Sequence, residues 1–190
     1  VVRHFGVFVH FASYAVPESI RQNFIPAHPM AGTEYSGPTA AFSGLFKDAV
    51  VAICDFKESG EMHVKRSVEL FSHLGMKIIF MSAAEHDHRA SVISHLPHAI
   101  SFSLASSVLK KENKKNIIAL SGTGFNGMIR IAKSSPVMWT DIFKQNKQNL
   151  INSIDLFKKE LDECENLIKN EKWDELREWM SEARKIREIL

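Results

Sequence analysis

The chain has 190 residues, of which 45% are hydrophobic and 24% charged, with a formal net charge of +2. That is ordinary for a soluble globular protein of one or two domains, and the charge is too small to imply nucleic acid, since the lysines are dispersed along C-terminal helices. Cys54 and Cys164 are too few and too far apart for a disulfide framework or a zinc knuckle and fit a reducing cytosol.

No apolar run reaches the roughly 18 residues that span a bilayer, so no membrane partner is expected. Arg3-His4, the apolar stretch to Phe11 and Ser13-Tyr14-Ala15 weakly imitate a signal peptide. The apolar run is short and contains His10, so a cytoplasmic location is the better reading.

Residues 1–15 are apolar and aromatic without a clear period, and Pro17 opens a short helix or turn over 16–22. Ile25 to Ala27 reads as a strand end, with His28 just behind it and Pro29 and Gly32 turning the chain. Gly37-Pro38 and Gly44 make 34–46 a loop with at most one helical turn. Ala49-Val50-Val51-Ala52-Ile53-Cys54 is a continuous apolar run, the pattern of a strand buried on both faces. Val64, Val68, Phe71 and Leu74 recur at helical spacing over 61–74, and Gly75 supplies the stop. Met76 to Met81 is another buried strand, so 49–81 is one strand–helix–strand unit of a parallel sheet.

Past residue 84 the pattern turns helical. Residues 87–112 are expected as helix with Pro97 as a kink or restart, and 121–127 as a glycine-rich loop. From Ser135-Pro136 onward one apolar stripe runs through Trp139, Ile142, Phe143, Asn146, Leu150, Ile154, Phe157, Leu161, Cys164 and Ile168, over about eight turns. Trp173, Leu176, Met180, Ala183 and Ile186 repeat it in a last helix. So long a stripe is not buried within so small a domain, and a helical dimerisation domain is the natural outcome.

Several residues could carry chemistry. His28 heads the string His-Pro-Met-Ala-Gly-Thr-Glu at the carboxyl end of a strand, where open α/β sheets bind ligands. Arg130 sits among apolar and small residues with no acidic neighbour nearby in sequence, so it must meet an anion or solvent. His86, His88, His95 and His98 lie close together beside Asp87, which raises a metal site. The intervening residues are not a known ligand frame, however, and Pro97 distorts the turn, so pocket lining by Ser94 and His98 is preferred and no metal is expected. Gly122-Thr123-Gly124 lacks a preceding strand and is a weak phosphate signal.

The string 28–34, Glu85-His86-Asp87, Ser94-His95-Leu96-Pro97-His98, and Gly122-Thr123-Gly124-Phe125 running to Arg130 and Trp139 together resemble the prephenate dehydrogenase family. The resemblance covers residues 16 to about 170 and implies a partial Rossmann-type parallel sheet followed by an all-α part. It implies a nucleotide-binding remnant over 1–83 and a helical dimerisation and substrate domain over 84–190. The implied reaction is oxidative decarboxylation of prephenate to 4-hydroxyphenylpyruvate, with hydride transfer to NAD or NADP, by a cytoplasmic homodimer of tyrosine biosynthesis. The resemblance makes His28 the group that accepts the proton of the ring hydroxyl, for which a neutral imidazole is suited. It makes Arg130 the fork for a substrate carboxylate. Thr33, Glu34, Ser94, His98 and Trp139 would line the same pocket.

Two family features are missing from this sequence. No Gly-x-Gly-x-x-Gly turn with its acidic ribose contact occurs in the chain. The family's Asp-x-Gly-Ser-x-Lys stretch falls on residues 4–9, where Val7 stands in the place of the serine and only Gly6 agrees. With Val1 as its first residue, the chain is expected to be a truncated one that keeps the substrate pocket and dimer interface but turns over little. The alternatives are a non-catalytic helical dimerisation fragment and a metal-dependent protein built on the histidines.

Overall fold

The structure, a computed structural model, describes residues 15–32 and 41–189. Thr33, Glu34 and the residues 1–14 that carry the signal-like pattern and the valine-for-serine position lie outside the described residues. The chain forms two compact units, Val1–Leu150 and Ile151–Leu190.

The first unit opens with a 3-10 turn, Glu18–Asn23, behind Pro17. A three-stranded sheet follows, β1 (Ala27–Pro29), β2 (Val50–Cys54) and β3 (Lys77–Met81), in the order β1-β2-β3. The apolar run does form the central strand: Val51, Ala52, Ile53 and Cys54 are fully buried, Val51 and Ile53 each contributing about 1.5–3 kcal/mol. β2 pairs with β3 in parallel, Val51 opposite Ile78 and Ile53 opposite Phe80. The connection is helix α1 (Glu61–His73), which ends at Gly75 with φ +75. Gly75 N–H donates to the Ser72 carbonyl and Met76 N–H to that of Phe71, closing the helix so that the chain reverses into β3.

Two sequence expectations shift here. The first strand lies at Ala27–Pro29 rather than 25–27, so His28 is inside it, and it runs antiparallel to β2 with His28 opposite Ala52. The ladder extends past the strand at both ends, where Cys54 N–H donates to the Pro26 carbonyl at 2.8 Å and Met30 N–H to that of Val50 at 2.7 Å, and Pro26 and Pro29 have no N–H to give. The sheet is therefore mixed, a parallel pair with an antiparallel edge. β3, expected to be buried, is half exposed, because among the described residues only β2 borders it.

Ser82 caps helix α2 (Ala83–Ala90), accepting from Glu85 N–H at 3.1 Å. The helix passes through a π-turn, Ser91–His95, into α3 (Leu96–Leu109), with Pro97 in the first turn of α3. The helix runs on through Pro97 rather than starting anew there, one uninterrupted helix, Ala83–Leu109, of 27 residues. Contrary to the run-length expectation, this helix is long and apolar enough, by length and composition, to cross a membrane. Helices α4 (Lys114–Ala119) and α5 (Thr123–Ile129) follow. The expected glycine loop is thus mostly α5, with Gly122 at its N-cap. A 3-10 turn, Arg130–Lys133, leads to α6 (Pro136–Gln145), where Pro136 at the start and the Ser135 cap set the entry.

The single long helix expected from residue 135 is instead two, α6 and α7 (Lys147–Lys169), broken at Asn146 with φ −105 and ψ 32. The second unit holds most of α7 and helix α8 (Trp173–Arg184). Within it, Trp179 Nε1–H donates to Glu160 at 3.2 Å.

Candidate active site

The first unit gathers a chain of imidazoles around the start of the Ala83–Leu109 helix. His28 Nδ1 lies 2.9 Å from His86 Nε2, and the two rings meet edge to face with centroids 5.0 Å apart. His86 Nδ1 in turn lies 2.8 Å from Asp87 Oδ1. His86 and Asp87 are both buried, whereas His88, next along, is exposed. A strand residue and a helix residue 58 positions apart thus share one hydrogen bond.

Asn146, at the break between α6 and α7, extends the network. Its Oδ1 accepts from Asn149 Nδ2 at 2.8 Å, which leaves Nδ2 as the donor toward the other groups. That nitrogen donates to the Asp87 carbonyl at 2.7 Å and to His95 Nδ1 at 3.2 Å. His95, accepting at Nδ1, is a neutral imidazole with its proton on Nε2. Burial is the main reason it stays neutral, pushing its pKa down to about 4; Asp87 opposes this, and His86, His28 and His98 reinforce it.

Trp139 and His98 form the other end of the network. Their rings stack with centroids 3.5 Å apart, and Trp139 also meets His95 edge to face at 6.1 Å. His98 Nδ1 donates to the Ser94 carbonyl at 2.8 Å, the one-turn bond that fixes its tautomer and leaves Nε2 as an acceptor. Its pKa is lowered by burial first and by the charge of Arg130, with the Ser94 carbonyl opposing. Trp139 packs with Ile142, Phe102, Met138 and Phe143. Its buried Nε1–H has no hydrogen-bond partner among the described residues.

Of the residues singled out in the sequence, the structure brings His28, His98 and Trp139 into one network, with Arg130 acting on His98 from the exposed end of α5. Ser94 enters through its carbonyl. Sequence reasoning missed Asn146, and His86 and Asp87 had no assigned part beyond a possible metal. The signal for Asn146 was present: it is the one polar side chain in the apolar stripe of 139–168. The His86–Asp87 pairing to His28 has no local signature. Among the described residues, no three His, Cys, Asp or Glu side chains converge as a metal ligand set.

A dinucleotide would need a strand-to-helix turn whose backbone amides face its phosphates. Both described turns of that kind are closed on the protein itself. From β2 to α1, Gly60 N–H donates to the Gln22 carbonyl at 2.7 Å, and a Cβ at Gly60 would meet that oxygen at 3.2 Å. From β3 to α2, Ala83 N–H donates to Asp55 Oδ1 at 2.9 Å and Glu85 N–H to Ser82 Oγ at 3.1 Å. Around Gly122, Gly124 and Gly127 a Cβ would meet nothing, so those glycines mark no close approach. The residues described here do not form a dinucleotide phosphate cradle.

A small mixed α/β sheet feeding a helical part, with a buried imidazole–carboxylate network at the junction of strand and helix, defines an α/β protein continued by a helical domain. Two family models match: the nucleotide-binding domain of prephenate dehydrogenase over residues 10–80, and its dimerization domain over 82–182. The chain belongs to the prephenate dehydrogenase family. It is 33% identical to a cyclohexadienyl dehydrogenase of Zymomonas mobilis, over 86% of this chain and 56% of that one. It is 31% identical to a Bacillus subtilis prephenate dehydrogenase, over 96% of this chain and 49% of that one. The crystal structure of A. aeolicus prephenate dehydrogenase in complex with hydroxyphenyl propionate and NAD+ superposes with TM-score 0.82 at 34% identity, covering 90% of this chain and 60% of that one. A Synechocystis arogenate dehydrogenase gives TM-score 0.76 at 27% identity, covering 87% and 60%. The chain spans about half the length of the curated relatives it matches.

Proposed function

We propose that the protein carrying this chain is a prephenate dehydrogenase of tyrosine biosynthesis, a cytoplasmic homodimer that converts prephenate to 4-hydroxyphenylpyruvate. NAD or NADP would accept the hydride, and the described residues hold no step that runs through it. The observation that carries the reading is the continuous network from His28 through His86, Asp87, Asn146 and His95 to Trp139 and His98, in one compact unit.

In this reading His28 is the catalytic base. It takes the proton of the ring hydroxyl as the carbon beneath it becomes a carbonyl, a task for which imidazole basicity is matched to neutral pH. Arg130, whose charge reaches His98, pairs with a substrate carboxylate as a bidentate fork. The buried indole N–H of Trp139, costly to leave unmade at about 1–3 kcal/mol, supports a donor role toward bound substrate. Ser94, His98, Thr33 and Glu34 complete the pocket in this proposal.

The residues divide accordingly into a nucleotide-binding part over 1–83 and a helical dimerisation and substrate part over 84–190. The relatives' dimerization domain and the exposed apolar side chains of the second unit, Leu156, Leu161, Ile168, Trp173 and Met180 among them, support pairing of two copies through the C-terminal helices. The polar and ionisable groups of the Ala83–Leu109 helix that are buried against protein, His86, Asp87, Ser91, His95 and Ser101, argue against a helix in lipid.

Titration calorimetry of the chain with 4-hydroxyphenylpyruvate tests the assignment. Binding that weakens at least tenfold in Arg130→Gln is expected. No heat from the folded chain would leave the non-catalytic dimerisation fragment as the reading.

A further inference from the structure

We propose that Asp87 and His86 are positioning residues for His28, fixing its proton on Nδ1 so that Nε2 is the nitrogen that receives the substrate proton. The inference rests on the reading of His28 as the base and adds how that base is held.

An ionised carboxylate only accepts hydrogen bonds, so the 2.8 Å contact makes His86 Nδ1 the donor to Asp87 Oδ1. A neutral His86 protonated at Nδ1 presents a lone pair at Nε2. The 2.9 Å contact with His28 Nδ1 then requires His28 to donate there. A neutral His28 protonated at Nδ1 is an acceptor at Nε2. Each tautomer follows from the one before it, and the series is anchored by a single buried carboxylate.

Asp87 and His86 are each 5% exposed, so water is a poor substitute partner for either. The helix backbone at Asp87 is itself tied down, its carbonyl accepting from Asn146 Nδ2. When the substrate O–H bond breaks and an Nε2–H bond forms, His28 becomes an imidazolium. Its Nδ1–H still donates to His86, and the Asp87 charge behind that ring offsets the new positive charge. A free imidazole ring on a strand could rotate between two faces; this one is held on one.

The test is nitrogen-15 NMR of histidine-labelled chain of all 190 residues at neutral pH, with the His28 ring assigned by its loss in His28→Gln. The expected spectrum shows His28 protonated on Nδ1, with a through-hydrogen-bond coupling to His86 Nε2. In Asp87→Ala the population shifts toward Nε2-protonated His28. A wild-type His28 carrying its proton on Nε2 overturns the proposal. So does an unchanged Nδ1 tautomer in an Asp87→Ala variant whose backbone spectrum is otherwise native. If Asp87→Ala does not fold, the wild-type tautomer and coupling decide alone. Calorimetry with 4-hydroxyphenylpyruvate on the same samples separates the two claims. Absent binding with the expected tautomer defeats the functional reading only, and intact binding with the opposite tautomer defeats the relay only.

Discussion

Asn146 Nδ2 donates to the backbone carbonyl of Asp87, 59 residues earlier, at 2.7 Å. That carbonyl belongs to a helix and would ordinarily be served by the helix itself. The Ser91 N–H of the same helix does donate to it, and a side chain from a break in a distant helix adds a second donor, whose nitrogen also serves His95.

Replacing Asn146 with leucine removes one buried donor shared by the Asp87 carbonyl and His95 Nδ1. The expected loss is about 2–4 kcal/mol, from unmade buried hydrogen bonds. Chemical denaturation should show a lower midpoint with an unchanged slope.

His95 makes stability depend on pH. Its folded pKa of about 4 lies below the ordinary 6.5, so between these values the unfolded chain binds a proton that the folded chain does not. Its contribution is therefore complete above about pH 6.5 and is lost as the pH falls toward 4, to a total on the order of 3 kcal/mol. His95→Gln keeps an acceptor for Asn146 without the titration. Its stability should fall less steeply than wild type across that window in parallel denaturation series.

Cys54, fully buried in β2, has its thiol pushed up to about 12 by burial and then by Asp55, Asp87 and Glu85. Thiolate is the reactive form, so Cys54 should resist an aromatic disulfide reagent at pH 8 in the native protein and react once denatured. Comparing Cys164→Ser with wild type isolates the Cys54 signal. Rapid native labelling of that variant would contradict the burial.

Trp139 is the anchor of a buried aromatic cluster and the stacking partner of His98. Trp139→Ala should cost about 3–5 kcal/mol through the cavity it opens. Trp139→Phe retains ring area while removing the orphaned N–H. It should lose far less stability by thermal melting, yet bind 4-hydroxyphenylpyruvate more weakly if the indole donates to ligand.

The elements that sequence patterning located best are those decided by local burial. Val51 to Cys54 form a strand because a continuous apolar run bounded by charge has few other options, and α1 follows from Val64, Val68 and Phe71 at helical spacing. His28 and Arg130 were legible as residues of interest from the strings around them. The position of β1 was not, because three residues beside prolines at 26 and 29 carry no period of their own and are defined as a strand only by pairing with β2. The interruption at Asn146 was hidden for a related reason. Asparagine tolerates a helix interior locally, and the partners that bend the chain there come from residues 87 and 95. The relay behind His28 joins 28, 86 and 87, and no spacing rule links a strand residue to a pair 58 positions away.

The π-turn at Ser91–His95 has a consequence for how this protein tolerates change. A wider coil accommodates one residue more than a regular helix would, so everything beyond it is rotated by about 100° relative to an uninterrupted α-helix. His98 and Ser101, the latter donating to the Met128 carbonyl at 2.7 Å, are aimed by that offset. Excising a single residue there would leave composition and helicity nearly intact while swinging the stacked ring away from its indole. A surplus residue in the winding is what brings His98 into phase with Trp139.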